Sequence, residues 1–343
     1  MAIRLGGKRI NSMYLGGKSV KEAWLNGEKV WPEYPPFKAG TWTSLTRDGI
    51  NNEGAFFHSY NNKNKLFWGG GALRAAGTIN NSFGFSTITN GSTTYTRLGT
   101  DSRIKKNLGY CGYMTDINSF VIMAGKPTIT VNADEVSEAY TLLTGNFAGD
   151  ESRWGNYSTV YQAQGLWGDV HSLDILKEDV FGGYHGGFLS THVSLDYKLS
   201  TKTVKASLPV AMNGHQVVSD MSGDALYIVG GNISSRRRNT LYKYKPSTDT
   251  YTTLTPLPAA RAFGRAAYCK SKNCIYYCGG ELSGLVNTFY EYHIHEDKWY
   301  TQTPMPKSRS NHTILLSEDE QLFVFSGMSS STSDDSQVLR FNP

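Results

Sequence analysis

The two ends of the chain each carry half of one strand–turn–strand unit. A complete copy lies inside the chain, where six residues separate Tyr292 from Trp299. Phe341 and Trp42 show the same spacing if the chain is continued from its last residue to residue 38. This spacing predicts that residues 41–45 form the missing strand of the last sheet. A set of sheets closed in this way leaves no strand edge exposed.

A second pattern repeats along the chain with a period near 50 residues. Six apolar strands each end in small residues, and successive final glycines are 55, 58, 48, 49 and 47 residues apart. These glycines are Gly70, Gly125, Gly183, Gly231, Gly280 and Gly327. Periods of this length are typical of repeat-built folds. The sequence therefore predicts an all-β, six-bladed β-propeller over residues 38–343, with four strands in each sheet and the last blade closed by residues 41–45.

The later repeats carry further motifs. A double glycine follows the second strand, and two copies of a Pro-x-Pro-x-x-Arg motif run from Pro256 to Arg261 and from Pro304 to Arg309. With the Tyr-to-Trp turn, these residues resemble the Kelch repeat family. The resemblance covers residues 38–343, is most complete in the fourth to sixth repeats, and implies a propeller of four-stranded antiparallel blades.

The first 31 residues follow a different, ten-residue period. Gly6-Gly7, Gly16-Gly17 and Asn26-Gly27 are two-residue turn signals between apolar positions, which predicts a β-hairpin repeat over residues 1–31. So few strands need a partner for stability, and residues 32–37 form a proline-rich linker. The segment resembles hairpin modules at the start of bacteriophage tail and other virion proteins. That resemblance implies a virion anchor whose apolar positions are Leu5, Ile10, Leu15, Val20, Leu25 and Val30.

The long connections of the propeller are predicted to share one face and to carry its ligand site. Basic residues concentrate there, while the opposite turns carry acidic residues such as Asp224 and the run 318–320. The basic candidates are Lys106, Arg236, Arg237, Arg238, Arg261 and Arg309. Two alternatives stay open: Arg261 and Arg309 brace loops, and Arg236–Arg238 are solvated.

Aromatic residues in the same connections suggest a sugar ligand. Tyr157 and Tyr161 lie among Gly, Asn and Gln residues, and Tyr184 begins another of these loops. Aromatic rings stack on the apolar faces of sugars while amides bind hydroxyls. Trp154 and Trp167 are interpreted as core residues.

The remaining reactive residues predict no catalytic, metal or cofactor site. His293, His295 and Glu296 are interpreted as a solvated turn, and His58, His215 and His312 as structural histidines of inner strands. Cys269 and Cys274 face each other across a predicted hairpin, where either a disulfide or, preferably, two buried thiols fit.

Charge and hydropathy exclude other classes. A net charge of +5 is too small to indicate nucleic-acid binding. No stretch predicts membrane insertion or a secretion signal.

These observations together predict a non-enzymatic bacteriophage virion protein, located in the virion and present in several copies. Its expected partners are other virion proteins through residues 1–31, and a host-surface glycan or a neighbouring virion subunit through the loop face. The alternatives are a carbohydrate-active enzyme on a propeller and a Kelch adaptor that binds a peptide.

Overall fold

The computed structural model describes residues 4–5, 8–9, 14–15, 18–19, 23–25, 28–31, 36–45, 61–62, 65–69, 72–73, 78–79, 82–89, 92–100, 110–114, 119–123, 140–143, 153–156, 169–174, 177–184, 187–220, 224–234, 236–317, 319–330, 335 and 337–343, apart from 197–200.

The N-terminal part forms three two-stranded antiparallel pairs. They are β1 (Arg4–Leu5) with β2 (Lys8–Arg9), β3 (Tyr14–Leu15) with β4 (Lys18–Ser19), and β5 (Ala23–Leu25) with β6 (Glu28–Trp31). The pairs fall in register with the ten-residue repeat, since each brackets one of the predicted turns. Leu5, Leu15, Leu25 and Val30 lie in these strands, but their side chains, like all of Ile10 and Val20, fall outside the described residues.

Six larger antiparallel sheets occupy the rest of the described chain. Strand β7 (Thr41–Ser44) comes first along the chain and belongs to the sixth sheet. The first sheet contains β8 (Asn61–Asn62), β9 (Lys65–Gly69), β12 (Ser82–Thr89) and β13 (Ser92–Thr100). Between β9 and β12 the chain forms a separate pair, β10 (Ala72–Leu73) with β11 (Thr78–Ile79). The second contains β14 (Tyr110–Met114), β15 (Ser119–Met123), β16 (Tyr140–Leu143) and β17 (Arg153–Asn156). The third contains β18 (Asp169–Asp174), β19 (Lys177–Tyr184), β20 (Phe188–Asp196) and β21 (Thr201–Val204).

The last three sheets lie between residues 213 and 343, together with β7. The fourth contains β22 (Asn213–Ser219), β23 (Leu226–Ile233), the short β24 (Arg236–Arg237), β25 (Leu241–Lys245) and β26 (Thr250–Thr253). The fifth contains β27 (Arg265–Cys269), β28 (Cys274–Cys278), β29 (Phe289–His293) and β30 (Lys298–Thr301), with a 3-10 helix (Ile294–Glu296) between the last two. The sixth contains β31 (Thr313–Leu316), β32 (Leu322–Phe325), β33 (Leu339–Asn342) and β7. From the second sheet to the sixth, the first strands of successive sheets lie against one another.

The sixth sheet is built from both ends of the chain. Strand β7 pairs with β33 so that Trp42 lies opposite Phe341, which confirms the pairing predicted from the spacing. The Trp42 indole donates a hydrogen bond to the Thr303 carbonyl at 2.8 Å. In the fifth sheet the Trp299 indole makes the matching bond to the Thr255 carbonyl, also at 2.8 Å. Strand β7 therefore occupies in the sixth sheet the position that β30 occupies in the fifth.

The double glycines let neighbouring sheets approach closely. Gly230 and Gly231 have φ of 69° and 118°, in the left-handed region that glycine adopts without strain. The Gly231 amide donates to the Arg261 carbonyl at 2.8 Å, and a Cβ added at Gly230 would lie 2.7 Å from that same oxygen. Gly279 and Gly280 hold the Arg309 carbonyl in the same way. Each double glycine thus joins one sheet to the connection that enters the next.

The hydrophobic core fills the spaces between adjacent sheets. Tyr277 and Tyr292 of the fifth sheet pack with Tyr227 and Val229 of the fourth, and all four are almost completely buried. Between the fifth and sixth sheets the cluster comprises Cys269, Cys274, Tyr276, Cys278, Phe289, Met305, Leu322, Val324, Leu339 and Phe341. Large aromatics suit this position because each buries much apolar area between two faces.

The structure also shows the state of the cysteines. Cys269 and Cys274 lie directly opposite each other across the hairpin, and both are free, buried thiols, as is Cys278. No helix in the described part of the chain is long and apolar enough to cross a membrane.

Candidate ligand-binding face

The connections on one side of the fourth to sixth sheets meet in a polar surface, which we call the loop face. It comprises residues 231–234, 236–240, 254–264, 279–288 and 302–312 with Met328. Backbone hydrogen bonds join these connections, among them Arg238 N to Gly231 O and Arg261 N to Arg238 O, each 2.8 Å long. The predicted placement of both types of connection on one face is therefore observed for the connections of these three sheets that the structure describes.

A short hairpin presents the arginine run on this face. Strand β24 folds back on β23, so that Arg237 pairs with Asn232 and Arg236 with Ile233, across a turn in which Ser234 has a φ of 42°. The hairpin alternates its side chains, as strands do. Arg236 is exposed, whereas the Arg237 side chain is 22% exposed and turns toward the fifth sheet.

Arg237 forms the centre of a network between two sheets. Its guanidinium donates to Glu281 Oε2 at 2.8 Å and to Asn232 Oδ1 at 2.9 Å, and it lies 5.3 Å from the centre of the Phe263 ring. A charged pair with further hydrogen bonds fixes both side chains better than an isolated surface ion pair does. The arginine is therefore held in place before any ligand arrives.

Glu281 carries the network on to the sixth sheet. Its Oε1 accepts a hydrogen bond from the Ser310 hydroxyl at 2.9 Å, while Oε2 binds Arg237. At the other end, the Asn232 amide donates to Asn213 Oδ1 at 3.3 Å. The Glu281 side chain is 20% exposed, so its carboxylate can still meet solvent or a ligand.

The backbone beneath this network is equally constrained. Gly214, Phe263 and Asn311 occupy equivalent positions near the starts of the first strands and have φ of 62°, 60° and 51°. The Phe263 amide donates to the Gly214 carbonyl, and the Asn311 amide donates to the Phe263 carbonyl, each at 2.8 Å. Because Phe263 and Asn311 are not glycines, their left-handed conformation is strained and must be stabilised by the surrounding structure.

Arg261 and Arg309 brace loops, which is the alternative left open by the sequence. Arg261 is 4% exposed and donates to the Ala260 carbonyl and the Thr288 hydroxyl. Arg309 is fully buried, donates to the Ser326 carbonyl at 3.0 Å and lies 3.2 Å from the Asp335 carboxylate. Burial lowers the pKa of the Arg309 guanidinium, and the Asp335 charge opposes that shift. Neither side chain is presented to a ligand.

The other predicted site residues divide between exposed and undescribed positions. Arg238 is exposed and forms a backbone bridge to Arg261, which leaves its side chain on the surface beside Arg236. Lys106, Tyr157 and Tyr161 lie outside the described residues, as does the side chain of Tyr184.

Asn232 and Glu281, the partners of Arg237 at the centre of the network, were not among the predicted site residues. Asn232, Glu281 and Met328 each follow directly after a repeat's final glycine, and Tyr184 holds the same place in the third repeat. The residue directly after each final glycine could therefore have been predicted from the sequence to lie on the loop face.

The inner-strand histidines are structural, as predicted for His215 and His312, whereas His58 is outside the described residues. Burial lowers the pKa of His215 to about 4, although a hydrogen bond to the backbone of Phe181 raises it in part. Burial lowers the pKa of His312 well below its usual range, and the positive charges of Arg265 and Arg309 lower it further. Both rings are therefore neutral at neutral pH and unsuited to binding an anion.

On the opposite face, the turn after β29 differs from the predicted solvated turn. Glu296 is exposed, but His293 is only 1% exposed and lies between Glu291 and Glu296. The solvated-turn interpretation is wrong for His293, because the 3-10 helix folds the turn back over the imidazole.

Antiparallel four-stranded sheets with a double glycine after the second strand and a buried motif arginine before the next sheet define a Kelch-type propeller protein. The family model of the KLHDC2/KLHL20/DRC7 Kelch-repeats domain matches residues 170–343, and the chain belongs to that family. The predicted Kelch resemblance is thereby confirmed for residues 170–343.

The comparison with solved structures agrees on the fold. The structure of YjhT is similar with a TM-score of 0.67 and 12% sequence identity, over 84% of this chain and 94% of that chain. At this identity the similarity shows the fold alone. A search of curated proteins finds no match.

Proposed function

We propose that the six larger sheets are the six blades of one closed propeller, preceded by a hairpin-repeat anchor at residues 1–31 and a linker at 32–37. The contacts between successive first strands and the pairing of β7 with β33 support a closed ring. The three strand pairs in register with the ten-residue repeat support the anchor.

The propeller is a non-enzymatic binding module whose loop face takes a polar, hydroxyl-rich ligand of the host-glycan type. The observation that carries this proposal is the Arg237–Glu281 pair, held at 2.8 Å between two sheets and partly exposed. Preorganised polar groups lose little freedom on binding, so more of the interaction energy appears as affinity.

The chemistry of the surrounding residues suits a sugar. Glu281 supplies a partly exposed carboxylate acceptor, and Phe263 supplies a half-buried ring beside it, while the buried amides of Asn232 and Asn311 hold the surrounding groups in place. Sugars combine apolar C–H faces with hydroxyl donors and acceptors, which these groups complement. The exposed Arg236 and Arg238 would attract an anionic glycan to the same place.

The virion role rests on the N-terminal segment. Its hairpin repeat resembles those of bacteriophage tail and virion proteins, and so short a segment needs a partner surface. Residues 1–31 would therefore dock onto the particle, in several copies, while the propeller displays its loop face. No nucleic-acid partner, membrane insertion or cofactor belongs to this proposal.

The test measures binding of the purified full chain to an array of bacterial surface glycans and to host cells. Glu281→Gln keeps the shape of the side chain but removes its charge, so binding should weaken about tenfold because one charge-assisted hydrogen bond is lost. The matched control is Lys270→Ala, which removes one exposed charge from a turn on the opposite face and should leave binding unchanged.

Other outcomes would redirect the proposal. If the propeller binds purified phage particles and no glycan, its ligand is a neighbouring virion subunit and the glycan assignment is wrong. Release of free sugar from a bound glycan would establish an enzyme instead. Equal loss of binding in Glu281→Gln and Lys270→Ala would show that the loop face is not the site.

A further inference from the structure

The turn after β29 brings three potential metal ligands together. His293 ends the strand, the 3-10 helix Ile294–Glu296 reverses the chain, and Asp297 closes the turn in a left-handed conformation with φ 48°. This reversal stacks the His295 ring beside that of His293, with centroids 5.6 Å apart and planes inclined by 27°. Sequence neighbours that would diverge along a regular strand therefore converge here.

The donor atoms converge on one carboxylate oxygen. His293 Nδ1 and His295 Nε2 each lie 3.2 Å from Glu296 Oε1, and all three atoms are within 4.8 Å of one another. With metal–ligand bonds of about 2.0–2.1 Å, adjacent ligands of a tetrahedral zinc ion are about 3.4 Å apart. The two nitrogen–oxygen distances already match such an arrangement.

The outer partners hold these ligands in the orientation that a metal site requires. The other ring nitrogen of His293, Nε2, lies 2.7 Å from Oε1 of the fully buried Glu291. The Tyr300 hydroxyl donates to Glu296 Oε2 at 2.7 Å, which leaves Oε1 facing the two imidazoles. Metal-binding histidines commonly donate their second N–H to a carboxylate in this way, which directs the free lone pair at the ion.

Charge also favours a cation at this position. The buried Glu291 and the exposed Glu296 flank His293 on two sides, and the nearby ammonium of Lys272 lies 3.7 Å from Glu291 Oε2. With the imidazoles neutral, as metal binding requires, two carboxylates facing one ammonium leave net negative charge in a partly desolvated turn. A divalent ion offsets that charge and links all three donor groups.

The same outer partners contact the segment that leads into β7. Tyr300 stacks on Phe37 with centroids 4.7 Å apart and planes 7° from parallel. Gln302 donates to Glu291 Oε2 at 2.5 Å and to the Lys38 carbonyl at 3.0 Å, and it accepts from the Gly40 amide at 3.0 Å. The three ligands are thus connected through two side chains to residues 37–40.

We propose that His293, His295 and Glu296 form a site for a divalent ion of the zinc type, and that the bound ion stabilises the seating of residues 37–40 on the fifth sheet. Two imidazoles and one carboxylate are a ligand set that zinc accepts, with a solvent molecule in the remaining position. The partial exposure of His295 and Glu296 gives the ion a path from solvent.

The first test titrates Zn²⁺ into the full chain after chelator treatment, by calorimetry. We expect one saturable ion per chain. His295→Ala should weaken binding about 100-fold because it removes a ligand, and Tyr300→Phe about tenfold because it removes an outer hydrogen bond. The matched control Lys270→Ala removes an exposed positive charge from the turn between β27 and β28, and should stay within about twofold of wild type.

The second test measures trypsin cleavage after Lys38 with and without saturating Zn²⁺. Cleavage in the wild type should slow about fivefold because local opening of the segment becomes rarer. His295→Ala should show no response to the ion. Absence of saturable binding, or equal affinity in His295→Ala and wild type, would overturn the site. Saturable binding with unchanged cleavage would overturn the link to residues 37–40.

Discussion

The fifth and sixth sheets fill equivalent positions but connect their outer strands by different means. In the fifth, the chain turns directly from β29 to β30, and the Tyr292 hydroxyl donates to Asp297 Oδ1 at 2.6 Å inside that turn. The fourth sheet repeats this arrangement with Tyr244 and Asp249, at 2.7 Å. In the sixth, the corresponding strands β33 and β7 come from opposite ends of the chain.

The sixth sheet replaces the tyrosine–aspartate pair with phenylalanine and glycine. Phe341 stands where Tyr292 stands in the fifth sheet, and Gly40 stands where Asp297 stands, two residues before the indole. The Phe341 ring covers the space beside Gly40 so closely that a Cβ there would overlap it. In the fifth sheet, the covalent turn and the Tyr292 hydroxyl hold the two outer strands together. In the sixth, the packing of Phe341 against Gly40 and the hydrogen bond from Gly40 to Gln302 hold them together.

The largest effect is expected from Gly40→Ala. The added methyl would overlap the Phe341 ring and the Asn342 carbonyl, and backbone cannot move aside as a flexible side chain can. We expect the free energy of unfolding to fall by about 3 kcal/mol, measured by urea denaturation. The control Gly284→Ala adds the same methyl where nothing lies within 4 Å, and should change stability by less than about 0.5 kcal/mol. Equal effects would contradict the close packing.

An intermediate effect is expected from Gln302→Leu. The fourth sheet carries Leu254 at the corresponding position, so leucine fits the strand. Next to β7, however, the Gln302 side chain accepts a hydrogen bond from the Gly40 amide and donates one to the Glu291 carboxylate. The change to leucine removes both hydrogen bonds. We expect a loss of about 2 kcal/mol in the free energy of unfolding. Leu254→Gln, which forms no such junction, is the comparison variant.

The smallest effect is expected from Tyr292→Phe, which gives the fifth sheet the aromatic residue of the sixth. Loss of the hydroxyl bond to Asp297 should cost about 1 kcal/mol at neutral pH. Burial alone raises the pKa of Asp297, but hydrogen bonds from Tyr292 and Thr255 outweigh it and hold that pKa below its usual value.

The pH dependence distinguishes this bond from simple packing. Because the folded-state pKa of Asp297 is depressed, its contribution is complete above the unfolded-state value of about 3.9 and is lost as pH falls through the folded-state value. The gap between wild type and Tyr292→Phe should therefore narrow below about pH 4. A gap that stays constant down to pH 2.5 would show that the hydroxyl acts independently of the Asp297 charge.

Local patterns predicted the elements that depend on spacing within one repeat. Phe341 and Trp42 identified the closing strand, and the position of Cys269 and Cys274 identified a hairpin. The double glycines were recognised as repeat markers, and their left-handed backbone is what only glycine adopts easily.

Contacts between repeats could not be predicted in the same way. The burial of Arg309 depends on Asp335, and the partners of Arg237 come from the next sheet. The cluster around His293 depends on a turn that reverses within three residues and on Glu291, whose carboxylate is held by Gln302, the residue after β30. The spacing of residues along the sequence places each residue on its own strand, but it does not show which side chain of an adjacent sheet will contact that residue.

The pairing of β7 with β33 also imposes an order on biosynthesis. Thr43 and Asn342, which lie next to each other in the sixth sheet, are 299 residues apart in the sequence. At ribosomal rates of about 5–20 residues per second, the early strand waits about 15–60 s for its partner to be translated. During that interval its edge is open to other chains, and a translation product that ends before residue 339 never covers it. Closure of the sixth sheet therefore requires that synthesis has proceeded through β33.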